Sequence, residues 1–134
     1  MIERVWDWEV RLVDYIAQRQ SRPFEFGKRA NDCCSFANGA VVAMTDFDAM
    51  ADIPDYASAE EADLILEATL ESLMDARFER HEAPAFARRG DIGITDMLNL
   101  DTLVVVENEF VVGPGRRRLQ RVPRHLMRVA WRVG

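Results

Sequence analysis

Residues 90–112 read GDIGITDMLNLDTLVVVENEFVV. Three segments of this stretch, 92–94, 103–106 and 110–112, are short, rich in β-branched residues and bounded by turn-forming residues. Such segments predict β-strands, and their close spacing predicts an antiparallel meander. Downstream we predict a turn at 113–115, a strand at 119–122, one helical turn that begins at Pro123, and a last half-buried strand at 129–133.

The chain before this stretch carries helical patterns. Val5, Trp8, Leu12 and Ile16 follow one another at spacings of three and four residues, which predicts an amphipathic helix over 5–20. Because helices come first and strands after, we predict one α+β domain over residues 1–134. Its N-terminal helices would pack on one face of a small antiparallel sheet.

Two further helices have recognisable start signals. Asn31 or Asp32 can cap a second helix, which the apolar pattern continues to Met44. Residues 46–57 lack a periodic pattern and are predicted to form a loop. A capping box that begins at Ser58 predicts a third helix, which we expect to run unbroken to about Met74.

Composition excludes several classes of protein. A chain of 134 residues, 49% hydrophobic and 30% charged, can bury a core without disulfides, so disordered and disulfide-rich classes are excluded. No apolar run approaches the ~20 residues of a membrane span and no signal peptide is visible, so we expect a product made in the cytoplasm. Cys33 and Cys34 are adjacent and fit a reducing compartment. With two histidines they fit no zinc spacing, so we expect no metal and no cofactor.

Charge is segregated along the chain, although the net charge is only −6. Residues 46–82 hold twelve acids and two arginines, whereas residues 116–134 hold seven arginines and no acid. These two segments can pair within one chain, or they can dock onto other proteins or a second copy. We expect Arg128 and Arg132 to share an outward face that binds a partner. An acidic chain without aromatic residues among its arginines indicates no nucleic-acid partner.

Cys33 is the candidate nucleophile. It falls in the first turn of the second predicted helix, where free amides and the helix dipole stabilise a thiolate and lower the pKa below the ~8.5 of a free thiol. The alternative is that Cys33 is one more small buried apolar residue.

The surroundings of Cys33 resemble a known enzyme family. The turn 24–27, which reads FEFG, and the pair Asp32-Cys33 are similar to the segment that opens the catalytic helix of NlpC-type cysteine peptidases. These papain-like enzymes cut peptidoglycan stem peptides. Gly90-Asp91 is similar to the start of their first core strand. The resemblance implies a papain-like NlpC-type fold in which the start of the second helix packs against the strand that begins at Gly90-Asp91.

The resemblance extends to short phage and prophage proteins related to these peptidases. It rests on Trp6 and Trp8 in the first helix, on the turn 23–27, and on two further motifs, 89–91 and 130–132. It implies a protein associated with a phage or prophage tail.

The resemblance also implies a histidine at the start of the strand that follows the Gly-Asp strand. That place falls on Asp101 or its neighbours Leu100 and Thr102, and none of these is histidine. A carboxylate would repel the thiolate and hold a proton poorly at neutral pH, so Asp101 is predicted to be inactive. His125 and His81 remain as alternative bases, each from an unexpected place in the sequence.

Two functional hypotheses follow from this pattern. The first is a structural or assembly protein of a phage or prophage tail, including gene-transfer-agent-like particles, whose peptidase-like fold has lost its catalytic base. Its partners would be other tail proteins or further copies, and its location the virion. The second is an active thiol hydrolase, delivered by a tail, that cuts peptidoglycan stem peptides. Only the second makes peptidoglycan a partner, and neither requires a membrane. A cytosolic adaptor or antitoxin that uses the charged surfaces is a third hypothesis.

Overall fold

Helices on one face of an antiparallel sheet form the framework of the protein. The computed structural model describes residues 2–28, 30–66, 69–97 and 100–134, and for residues 63–66 it describes the backbone alone. The α-helices are α1 Trp8–Arg19, α2 Cys33–Thr45, α3 Ala59–Leu66 and α4 Leu70–Asp75, with short 3-10 helices at Pro84–Phe86 and Arg124–Leu126. The strands are β1 Glu79–Arg80, β2 Ile92–Met97, β3 Leu100–Val106, β4 Phe110–Pro114, β5 Leu119–Pro123 and β6 Val129–Arg132.

The strand order in the sheet is β1-β6-β2-β3-β4-β5. All paired neighbours are antiparallel, so the coarse α+β prediction is confirmed. The meander is correct for β2 to β5, but β6 returns across the sheet to lie between β1 and β2. The predicted turn at 113–115 is wrong in part, because Gly113 and Pro114 pair with β5 as the end of β4. The chain reverses at Gly115, whose N–H donates to the carbonyl of Arg118 at 2.9 Å.

The first helix forms as the apolar pattern predicts but starts at Trp8, three residues later than expected. Leu12 and Ile16 are buried, whereas Val5 and Trp8 are half-buried. The backbone N–H of Val5 instead donates to the carbonyl of Met44 at the end of α2, at 2.8 Å. This bond holds the segment before α1 against α2.

The predicted third helix is interrupted. The capping box is present in modified form: Ser58 Oγ accepts a hydrogen bond from Glu61 N–H at 3.1 Å, and the Glu61 carboxylate accepts from Ala57 N–H at 2.7 Å. Thr69 has an extended backbone and caps α4, accepting a bond from Ser72 N–H at 3.1 Å. A threonine that caps the next helix therefore divides the pattern into α3 and α4.

Two apolar clusters lie on opposite faces of the sheet. The larger contains the buried side of α2, where Phe36, Ala40 and Met44 are almost fully buried, together with alternate residues of the strands. The last strand alternates as predicted, with Val129, Trp131 and Val133 in this cluster. It is not half-buried, however, because Ala130 on its other face is buried in the smaller cluster. Among the described residues, no helix has the length and apolar character needed to cross a bilayer.

Candidate functional site around Cys33 and Asp91

A buried carboxylate joins the turn 24–27 to the start of α2. Asp32 caps the helix through Oδ1, which accepts from Ser35 N–H at 2.7 Å. Its Oδ2 accepts from Gly27 N–H at 3.2 Å and from the Tyr56 hydroxyl at 2.7 Å. Gly27 has φ of 147°, a region that favours glycine. Burial and the bond to Asp32 raise the pKa of Tyr56, which keeps this hydroxyl a donor. The Asp32 carboxylate therefore has a structural role.

Cys33 is the first residue of α2 and lies against the sheet. Its side chain is half-buried and packs on the larger apolar cluster. The backbone N–H of Leu103 in β3 donates toward its sulfur. The helix start thus contacts β3, the neighbour of β2, whereas the resemblance implied a contact with β2 itself, the strand that begins after Gly90-Asp91.

The pKa of the Cys33 thiol lies below its ordinary value. The main cause is a hydrogen bond from the Cys34 thiol, and the N–H of Leu103 acts in the same direction. Burial of the sulfur and the negative charge of Asp32 oppose this effect. The same thiol pair, together with burial, raises the pKa of Cys34. Of the two adjacent thiols, Cys33 is therefore the one that ionises first.

Asp101, at the position of the family's histidine, is bound by an arginine. Its Oδ2 accepts a hydrogen bond from Arg128 Nη2 at 2.6 Å, and Nη1 of the same guanidinium donates to the Glu71 carboxylate of α4. Of its neighbours, Leu100 is exposed, and the Thr102 hydroxyl donates to the Leu100 carbonyl at 3.1 Å. The Asp101 carboxylate is occupied by this guanidinium, and neither of its two neighbours is a histidine. This position therefore supplies no general base.

Asp91, the second landmark of the resemblance, is a buried acceptor of four hydrogen bonds. Oδ1 accepts from Arg4 Nη2 at 2.9 Å and from Val133 N–H at 3.0 Å. Oδ2 accepts from Arg88 N–H at 2.8 Å and lies 2.9 Å from His81 Nε2. Asp91 therefore joins the N-terminal segment, the loop before β2 and the end of β6. Sequence reasoning missed Arg4 and the His81 contact, because long-range pairing leaves no local pattern.

His81 lies far from Cys33. It follows β1, and its N–H donates to the carbonyl of Ala130 in β6 at 2.9 Å. In the sheet, β6 and β2 lie between β1 and β3, so β1 and β3 are three strand spacings apart. At about 4.8 Å per spacing, the backbones of β1 and β3 are roughly 14 Å apart. Nε2 of the His81 imidazole is hydrogen-bonded to the Asp91 carboxylate. His81 is therefore too distant to take the thiol proton of Cys33.

His125 lies in the 3-10 helix between β5 and β6 and is exposed. The residue that follows this helix, Met127, packs in the smaller apolar cluster, on the face of the sheet away from α2. The sheet therefore stands between His125 and Cys33. Among the residues that the structure describes, neither histidine reaches the thiol.

The arginines of residues 116–134 have different environments. Arg121 donates to Glu107 at 2.7 Å, and Arg124 donates to the carbonyl of Asn108 at 3.1 Å. Arg128 is exposed and ion-paired with Glu71 of α4 and Asp101 of β3, and that it binds a partner together with Arg132 stays a prediction. Its carboxylate partners belong to its own chain, as the internal-pairing alternative expects. The side chains of 116–118 are exposed and have no bonded partner within the described part of the chain.

A cleft of about 870 Å³ opens beside Asp91. Arg4, Trp8 and Phe86 line it, as do Arg89 and Arg132, and among the described residues Cys33 does not. The Arg4 guanidinium lies over the Trp8 ring, 4.2 Å from its centroid, and burial lowers the pKa of this arginine. Cys34 instead lines a much smaller apolar cavity, which α2 shares with Met74 of α4 and Ile92 of β2. The cleft and the cysteine are therefore separate features of the molecule.

The described residues include no group of three or more His, Cys, Asp or Glu side chains that could hold a metal ion.

No curated protein sequence matches the chain. A family model, described as a domain of unknown function, DUF6950, matches residues 3–133. This match covers nearly the whole sequence, and the chain therefore belongs to the DUF6950 family.

Proposed function

We propose that this protein is a non-catalytic member of the papain-like NlpC-type group and serves as a structural or assembly component of a phage or prophage tail. The tail assignment is supported by the sequence resemblance at the tryptophan-rich helix, the turn 23–27 and the motifs 89–91 and 130–132. The papain-like assignment is supported by a cysteine at a helix start that packs against an antiparallel sheet.

The environment of Cys33 is the observation that carries the non-catalytic assignment. The thiol has features that favour a thiolate, but thiol catalysis of peptide cleavage also needs an acid that protonates the departing amine. The family position for that group holds Asp101, which is ion-paired with Arg128. His81 is bound to Asp91, and His125 lies beyond the sheet. A thiolate without this acid can be alkylated but does not turn over peptides.

The two landmarks that a peptidase would use have structural roles here. Asp32 and Asp91 together accept seven hydrogen bonds, which hold loops and chain segments onto the core. The fold therefore needs both motifs even in a protein without catalytic activity. A rigid domain with exposed arginines at 116–118 suits assembly, because arginine is enriched in protein interfaces.

A genetic complementation experiment tests the proposal. The gene is deleted from the phage or prophage genome that encodes it, and the deletion is complemented with wild-type protein or with Cys33→Ser. We expect deletion to abolish tails seen by electron microscopy, and Cys33→Ser to restore both tails and infectivity. Normal tails in the deletion strain would contradict the assembly role.

The active hydrolase remains the second candidate, because the pKa of the Cys33 thiol is lowered by its surroundings. In the same experiment it predicts a different outcome: Cys33→Ser would restore tails that fail to penetrate the cell wall. That result would contradict the non-catalytic assignment while leaving the tail location intact.

A further inference from the structure

The cleft beside Asp91 contains one arginine, Arg4, whose three nitrogens all donate to other groups of the chain. Arg4 donates through Nε to the carbonyl of Val133 at 2.7 Å, through Nη1 to the carbonyl of Arg89 at 2.7 Å, and through Nη2 to Asp91 at 2.9 Å. Three of its five N–H donors are used in this way, so this guanidinium is part of the cleft wall. It fixes the position of the segment that carries Arg89.

Three other arginines of the cleft have donors to spare. The buried Nε of Arg89 has no acceptor among the residues that the structure describes, and its Nη1 lies 3.4 Å from Glu9. Toward the residues that the structure describes, Arg132 donates through Nε alone, to the carbonyl of Gly134 at 3.3 Å. The Arg88 side chain bonds to no described residue. Arg88 and Arg132 are exposed, so their guanidinium groups are accessible to oxygen atoms of a ligand in the cleft.

The cleft also has apolar walls and a suitable size. Phe86 is 62% exposed and Trp8 is half-buried, and both line the cleft. Its volume of about 870 Å³ lies within the range of small-molecule sites, roughly 300–1,000 Å³. Aromatic surface beside guanidinium groups suits a ligand that has an apolar body and a charged end.

Acidic side chains limit the charge of that ligand. Glu79, which stands opposite Arg132 in the β1–β6 register, and Glu82 also line the cleft. Their negative charges repel a polyanion such as a nucleic acid backbone. A ligand with one or two negative charges can instead pair with the free guanidinium groups. From the arginines with free donors and the aromatic walls, we infer that the cleft binds a small organic anion, with a carboxylate or phosphate group on an apolar body.

Ligand titrations of the purified protein test this inference. Benzoate and phenyl phosphate are the anionic probes, and benzamide is a neutral probe of the same shape as benzoate. Binding is followed by tryptophan fluorescence, to which Trp8 contributes, and by NMR chemical shifts. We expect saturable binding of at least one anion and none of benzamide. Tighter binding of phenyl phosphate would indicate a phosphate ligand, and tighter binding of benzoate a carboxylate ligand; both support the inference.

Matched arginine variants locate the site. We expect Arg89→Gln and Arg132→Gln each to weaken anion binding about tenfold or more, because each removes a charge-assisted bond. Arg117→Gln, in the exposed β4–β5 hairpin, removes the same charge elsewhere and should leave binding unchanged. Three results would each overturn the inference. Benzamide could bind as tightly as the anions, or Arg117→Gln could weaken anion binding as much as the cleft variants do. The third result is that the wild-type protein, with a normal thermal melt, binds neither anion saturably.

Discussion

Replacing Asp91 by asparagine tests the claim that this carboxylate holds the fold together. The side chain is 2% exposed, and its two oxygens accept four hydrogen bonds. Asparagine keeps the shape but has only one acceptor oxygen. If that oxygen replaces Oδ1, the new NH₂ group faces the N–H of Arg88 and the imidazole of His81. The imidazole can change tautomer and accept a bond, whereas the N–H of Arg88 is left without an acceptor.

The expected cost follows from these contacts. An unsatisfied buried N–H costs about 1–3 kcal/mol. Arg4, whose side chain is 16% exposed, also loses its anionic partner, and removal of one member of a buried ion pair costs about 3–5 kcal/mol in total. We therefore expect Asp91→Asn to lower the free energy of unfolding by about 3–5 kcal/mol. For a chain of this length, the melting temperature should fall by roughly 10–20 °C.

Urea unfolding followed by tryptophan fluorescence, together with calorimetry, measures this loss. Asp101→Asn is the matched control, because it removes a carboxylate from an exposed pair with Arg128, and such pairs contribute about 0–1 kcal/mol. A loss within about 1 kcal/mol of the control would refute the structural role of Asp91.

Three further predictions use other groups of the structure. Asp32→Asn should move the pH of half-maximal Cys33 alkylation by iodoacetamide downward, because the charge of Asp32 raises the pKa of that thiol; an upward shift would contradict the electrostatic argument. Burial raises the pKa of Tyr15 from 10.0 to about 12, so the unfolded chain ionises first and stability should fall between about pH 10 and 12. In urea titrations Tyr15→Phe should reduce that loss, and an unchanged slope would count against it. Gly90→Ala should lower the unfolding free energy by about 1–3 kcal/mol, because φ is 88° and the new Cβ would lie 2.7 Å from the Met44 sulfur; a wild-type urea midpoint would contradict this.

Local patterns predicted the parts of the fold that local physics determines. The cap at Asp32, the buried stripe of α2 and the alternation of the last strand each depend on spacings within a few residues. The interruption at Thr69 was missed because a threonine is compatible with a helix interior as well as with a cap. The strand Glu79–Arg80 was missed because two residues carry no alternation, and it exists through its pairing with β6.

The candidate site was predictable in part, for the same reason. The position of Cys33 at a helix start follows from the nearby cap. The pairing of Arg128 with Glu71 and Asp101 joins residues 57 and 27 positions apart, so no sequence window contains it. The contact of His81 with Asp91 likewise depends on how β1 and β2 enter the sheet. Long-range contacts of this kind leave no pattern within a single stretch of sequence.

Hydrolysis of peptidoglycan stem peptides tests the non-catalytic assignment most directly. The wild-type protein is incubated with purified stem peptides, new amino groups are quantified, and Cys33→Ser serves as the matched control. We predict no release above the level of the control at any pH at which the protein is folded, although Cys33 remains open to alkylation. Release of amino groups that is lost in Cys33→Ser would contradict the account.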